Sequence, residues 1–160
     1  MIDKKKLLDE LREKFSEVKK EIGFKSEFEE LNNEFFLADS VFSVGFVSDN
    51  LLRQLSHRIT DTFSSWSTYL HSLIMPNPGN FLNQTESKFF NSQEDKNKIW
   101  NILREIMYFS SLNSISILSK DKSKDREFID GSLDFWKSRL KPQILEILYK
   151  VNSGWGESKN

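Results

Sequence analysis

Between Phe28 and Leu73, apolar residues recur at Phe28, Leu31, Phe35, Leu37, Val41, Val44, Leu51, Leu55, Ile59, Phe63, Trp66, Leu70 and Leu73, mostly in steps of three, four or seven. A helix brings such a series onto one face; a strand, with its period of two, does not. One stretch inside the series, VFSVGFVSDNLLRQL at 41 to 55, carries a competing signal, because Phe42, Val44 and Phe46 alternate like one side of a strand. The longer register decides for helix. A strand also needs pairing partners, and elsewhere only SISIL at 114 to 118 resembles one. Gly45, followed by Ser48, Asp49 and Asn50, then predicts a kink or break in this long second helix. Glycine weakens a helix interior by about 1 kcal/mol, and the polar trio favours a new N-cap.

The same reasoning organises the rest of the chain. Leu8, Leu11, Phe15, Val18 and Ile22 step by three and four through charged and serine residues, which predicts an amphipathic first helix ended by Gly23. Ser26 and Glu29 have capping-box spacing at the start of the second helix. MPNPGN at 75 to 80 stops a helix, since two prolines remove amide donors and Gly79 permits a left-handed turn. FLNQTESKFF, after it, reads as a short helix or irregular chain, and Ser92, Glu94 and Asp95 mark the next helix start. That helix takes its core face from Ile99, Ile102, Leu103, Ile106, Phe109 and Leu112. SKDKSKDRE at 119 to 127 reads as a solvated mixed-charge connection. A last stripe, Ile129, Leu133, Trp136, Leu140, Ile144, Ile147 and Val151, is interrupted by Pro142, which kinks the helix or opens a new one. The expected fold is all-α, an antiparallel bundle of four or five helices forming one domain over 1–151, with a flexible C-terminal tail over 152–160.

Composition narrows the functional classes. A formal net charge of −1 leaves no global positive field for phosphate backbones, and the basic runs at Lys4 to Lys6, Lys19 to Lys20 and Lys120 to Arg126 are interleaved with or flanked by acids. Nucleic acid is disfavoured as a partner. Cysteine is absent, which excludes disulfides, thiolate nucleophiles and thiolate zinc sites and fits a reducing, cytoplasmic setting. Acidic residues interrupt the N-terminal lysine and leucine run, so it does not read as a targeting segment. The uncharged stretch Thr62 to Thr85 is too rich in Ser, Thr, Asn and Pro for a membrane span.

Arg53, His57 and Asp61 stand four apart and form one polar column on a helix, in which a carboxylate can orient an imidazole as a general base. The plain alternative is a surface ladder. With Trp66 and Tyr69 as walls, these residues form the candidate polar or ligand site of an enzyme or small-ligand binder in a helical pocket. No cofactor or metal is expected. His71 lies fourteen residues beyond His57, about 21 Å along a helix. A di-metal Glu-x-x-His pair is missing as well, because the residues three before the histidines are Gln54 and Thr68. No His-Glu-x-x-His run or glycine-rich phosphate loop occurs.

The charge-free stretch has a further consequence for function. Ser64, Ser65, Thr68 and His71 occupy the side of the helix opposite Phe63, Trp66, Leu70 and Leu73, where an exposed face normally carries Lys, Glu or Arg. Such a face is covered either by the chain itself or by a partner. It forms the candidate interaction face, together with the Leu8, Leu11, Phe15, Val18 and Ile22 stripe, whose narrow, charge-edged form suits a coiled-coil seam. The expected function is a non-enzymatic helical protein-interaction or regulatory module whose partner is another protein or a second copy of the chain.

Overall fold

The computed structural model describes residues 3–157 and is all-helical, with no strand among the described residues. In chain order the elements are α1 (Lys4–Ile22), α2 (Phe28–Phe35), α3 (Leu37–Val44), α4 (Leu51–Ile74), α5 (Phe81–Lys88), α6 (Gln93–Ser119), α7 (Lys122–Phe135), a π-helical turn (Trp136–Leu140) and α8 (Lys141–Glu157). The helix count therefore exceeds the expected four or five. Both potential strands are helical: 41 to 44 belongs to α3 and SISIL to α6.

The extra helices come from short-range breaks. Gly45 ends α3 at φ 81°, its N–H donating to the Val41 carbonyl at 2.9 Å, so the break expected between Gly45 and Asn50 is present. A second break was not anticipated. Phe36 adopts the left-handed conformation at φ 56° and ψ 46°, costing about 1–2 kcal/mol for a residue with a side chain. Asn32 offsets that cost by taking the Phe36 N–H on its carbonyl at 2.8 Å and the Ala38 N–H on its side-chain oxygen at 2.7 Å. The register signal was the step of two from Phe35 to Leu37.

The chain divides into two compact units: the chain up to Thr62 with Phe109–Leu133, and Phe63–Tyr108 with the chain from Asp134. In the first unit, Asp3 caps α1 by accepting from the Lys5 and Lys6 amides at 3.1 Å each, and Gly23 closes it at φ 84°. The buried stripe of α1 is Leu7, Leu11, Phe15 and Ile22, while Leu8 and Val18 are only half-buried, so the inward face is rotated from the expected one. The Phe15 ring meets Phe24 and Phe28 edge-on at 5.6 and 5.3 Å, an arrangement that suits the ring quadrupoles. The stripe thus packs on its own chain.

Ser26 and Glu29 form no capping box. Glu27 is the N-cap of α2 and makes no side-chain cap bond, whereas the Ser26 amide and hydroxyl donate to Asp130 Oδ1 at 2.9 and 2.6 Å, and the Lys25 amide donates to both Asp130 oxygens. Hydrogen bonds to an ionised carboxylate are roughly twice as strong as neutral ones, so Asp130 holds the serine that a local cap would have used.

In the second unit, α4 ends before Pro76, and Asn80 caps α5 by accepting from the Asn83 amide at 3.1 Å. Ser92 caps α6 in the same manner, as its sequence position implied. Pro142 is the second residue of α8, directly after a π-helical turn. The π-helical turn before it, closed by the Lys141 N–H on the Trp136 carbonyl, accommodates the missing proline donor, and α8 continues from Lys141. The change to loose chain expected at Asn152 does not occur there, because α8 runs to Glu157; the last part of that tail, 158–160, lies outside the described residues. No helix among the described residues is long and apolar enough to cross a membrane.

Candidate functional site

Two clusters come into view, one in each unit. In the first, α4 begins with Leu51, and the same helical turns carry Arg53, Gln54, Ser56 and His57 to a cleft of about 440 Å³. Val44, Phe46, Ser48 and Asn50, from the end of α3 and the loop after it, form one wall, and Asn113 and Ile117 of α6 form another. Val44, Phe46 and Ile117 are exposed apolar side chains, and they line the cleft beside the polar Arg53, Gln54 and Asn113. Its size lies within the usual range for small-molecule sites.

Arg53 is held at this site by a partner that the sequence reading left in solvent. Asp125, only 3% exposed, faces Arg53 with Nη1 to Oδ1 at 3.0 Å and Nη2 to Oδ2 at 3.3 Å. Oδ1 lies outside hydrogen-bond alignment with Nη1, so the first contact supplies charge and the second supplies the bond. The buried Ser116 hydroxyl also donates to Asp125 Oδ1. The solvated connection expected at 119 to 127 is corrected in part: its other side chains are exposed or half-buried, but only Lys120 and Asp121 separate α6 from α7, and Asp125 points inward in the first turn of α7. The signal was available, since Asp125 stands four before Ile129 and eight before Leu133 on the stripe.

The candidate polar column is accordingly divided. Arg53 and His57 line the cleft, whereas Asp61 is exposed and does not line it, and Trp66 and Tyr69 belong to the second unit. No group of three or more metal-binding side chains occurs among the described residues.

In the second unit, Trp66 and Tyr69 meet edge-on at 6.1 Å. The Tyr69 hydroxyl donates to Glu86 Oε2 at 3.2 Å, and the Trp155 indole donates to Glu86 Oε1 at 2.9 Å. Trp155 also packs edge-on against Phe89 at 5.7 Å, which explains why α8 continues past Asn152. Burial, then the nearby Glu86 charge and its hydrogen bond, push the Tyr69 hydroxyl from its ordinary 10.0 up to about 12. A raised acid pKa means that the folded chain keeps this proton longer than the unfolded chain. The associated stability is whole below pH 10 and is lost as pH rises to about 12. In an ultraviolet titration, the difference between wild type and Tyr69→Phe is expected to show a group ionising near pH 12. A difference centred near pH 10 would reject the assignment.

Ser64, Ser65, Thr68 and His71 are exposed along α4, so the chain itself does not cover the charge-free face. Beyond them, Met75, Phe81 and Leu82 are exposed apolar residues at the end of α4 and the start of α5. Comparison with protein-family models, characterised proteins and solved structures finds no match to this chain.

Proposed function

We propose that the protein is a non-enzymatic helical interaction module, acting in the cytoplasm, and that it binds another protein through the charge-free face of α4. The observation that carries this reading is the exposure of Ser64, Ser65, Thr68 and His71 on a helix face with no charged side chain from Thr62 to Thr85. Covering small hydroxyls desolvates no charge and lets an approaching helix come close. Met75, Phe81 and Leu82 add exposed apolar surface, each worth about 1.5–3 kcal/mol when fully buried. The partner is a different protein or a second copy. The α1 stripe is the less suitable contact, because Leu11, Phe15 and Ile22 are already buried.

The test replaces Ser65 and Thr68 together with lysine. Both positions are exposed, so the isolated fold is expected to change by no more than about 0.5 kcal/mol per site. Capture from native lysate is expected to lose the partner, because burying two lysines desolvates unpaired charge. Sedimentation of wild type and variant separates a second copy from a different protein. Unchanged capture and unchanged sedimentation would reject the α4 face as the contact.

A further inference from the structure

The cleft of the first unit contains hydrogen-bonding capacity that the chain does not use. Gln54 Oε1 and Asn113 Oδ1 are buried and accept no hydrogen bond from the described residues, and Arg53 Nη1 donates none. All three residues line the same cleft. The orientation of Gln54 follows from its neighbour: the Ser40 hydroxyl donates to the Leu37 carbonyl at 2.6 Å, so Ser40 Oγ is left to accept from Gln54 Nε2 at 3.2 Å. Oε1 must then be the free end. Most buried polar groups are paired, and an unpaired one costs about as much as the desolvation it suffers.

We propose that this cleft binds a small neutral molecule carrying a carboxamide head on an apolar body. The amide N–H groups donate to Gln54 Oε1 and Asn113 Oδ1, and its carbonyl accepts from Arg53 Nη1. An amide carries donor and acceptor on one head, so it pairs with the Asn113 amide in either orientation of that side chain. Asn113 reaches the ligand by rotation about its terminal torsion, which is broad and inexpensive to turn, while Gln54 keeps its Nε2 on Ser40 and presents Oε1. Val44, Phe46 and Ile117 take the apolar body. An anionic head is disfavoured, because Asp125 already neutralises Arg53 and stands beside it. This site is separate in sequence and chemistry from the α4 contact face, so either proposal stands or fails alone.

Three probes of one shape test the head group: benzamide, acetophenone without the N–H donors, and benzoate with a charge. They are titrated into the full chain, isotopically labelled, and followed by amide chemical shifts. Benzamide is expected to give saturable shifts grouped at 44–57 and 113–117, with acetophenone and benzoate weaker by about tenfold or more. Asn113→Leu is expected to weaken benzamide by a similar factor, and Ile117→Trp, which fills the cleft from an exposed position, to abolish binding while the remaining spectrum stays folded. Equal affinity for the three probes, shifts scattered outside the cleft, or benzamide binding that survives Ile117→Trp would overturn the proposal. The probe selectivity is measured on wild type and does not depend on any variant folding.

Discussion

Asp125→Ala is expected to destabilise the protein by about 3–5 kcal/mol, measured as a lower urea midpoint with an unchanged slope. The residue is 3% exposed and joins two groups: the Arg53 guanidinium, whose side chain is 29% exposed, and the fully buried Ser116 hydroxyl. Removing the carboxylate leaves a half-buried cation without its counter-charge and a buried hydroxyl without its acceptor. The penalty comes from these abandoned partners more than from the lost attraction, since forming a buried pair already costs much of its Coulomb gain. The double change Asp125→Ala with Arg53→Met is therefore expected to recover part of the loss. A single-variant loss below about 1 kcal/mol would mean that water replaces the carboxylate and that Asp125 is not a structural counter-ion.

Phe63→Ala is expected to cost a further independent 3–5 kcal/mol, roughly the usual range for a phenylalanine removed from a packed core. Phe63 is fully buried in the second unit, edge-on to Phe135 at 5.7 Å and tilted against Trp136 at 6.4 Å. Alanine removes the whole ring and leaves a cavity that two aromatic neighbours in fixed positions fill poorly. Phe63→Leu, which keeps most of the volume, is expected to lose much less. Ser65 and Thr68, two and five residues further along the same helix, are exposed and are expected to accept lysine with little loss. Thermal unfolding of the three variants thus reads α4 as a helix with one buried and one exposed face. Equal losses from Phe63→Ala and from the lysine pair would remove that distinction, and the interaction-face proposal with it.

Much of the helical pattern was legible before any coordinates. Gly23 and Gly45 end helices at positive φ, Pro76 and Pro78 follow the end of α4, and Ser92 caps α6. These features act over one turn of chain, so four or five neighbouring residues contain the information. Arg53 and His57 were likewise brought to one cleft by their spacing of four.

The environment of a side chain depends on groups far away in sequence. Arg53 and Asp125 are 72 residues apart, Trp155 and Glu86 are 69 apart, and Asp130 reaches Ser26 across 104. A spacing of four puts Asp125 in line with Ile129 and Leu133, but it puts the exposed Asp121 in line with them too, so register alone does not choose which is buried. The same holds for Leu7 against Leu8, where one residue of rotation decides which faces inward. By itself, the sequence determined helix as the only regular structure, most of the punctuation, and the charge-free face, since period and turn chemistry are local properties of the chain. Only the tertiary structure decided that this face is exposed, that Asp125 is a buried counter-ion and that Gln54 and Asn113 share one cleft, because burial and hydrogen-bond pairing are set by what packing brings together.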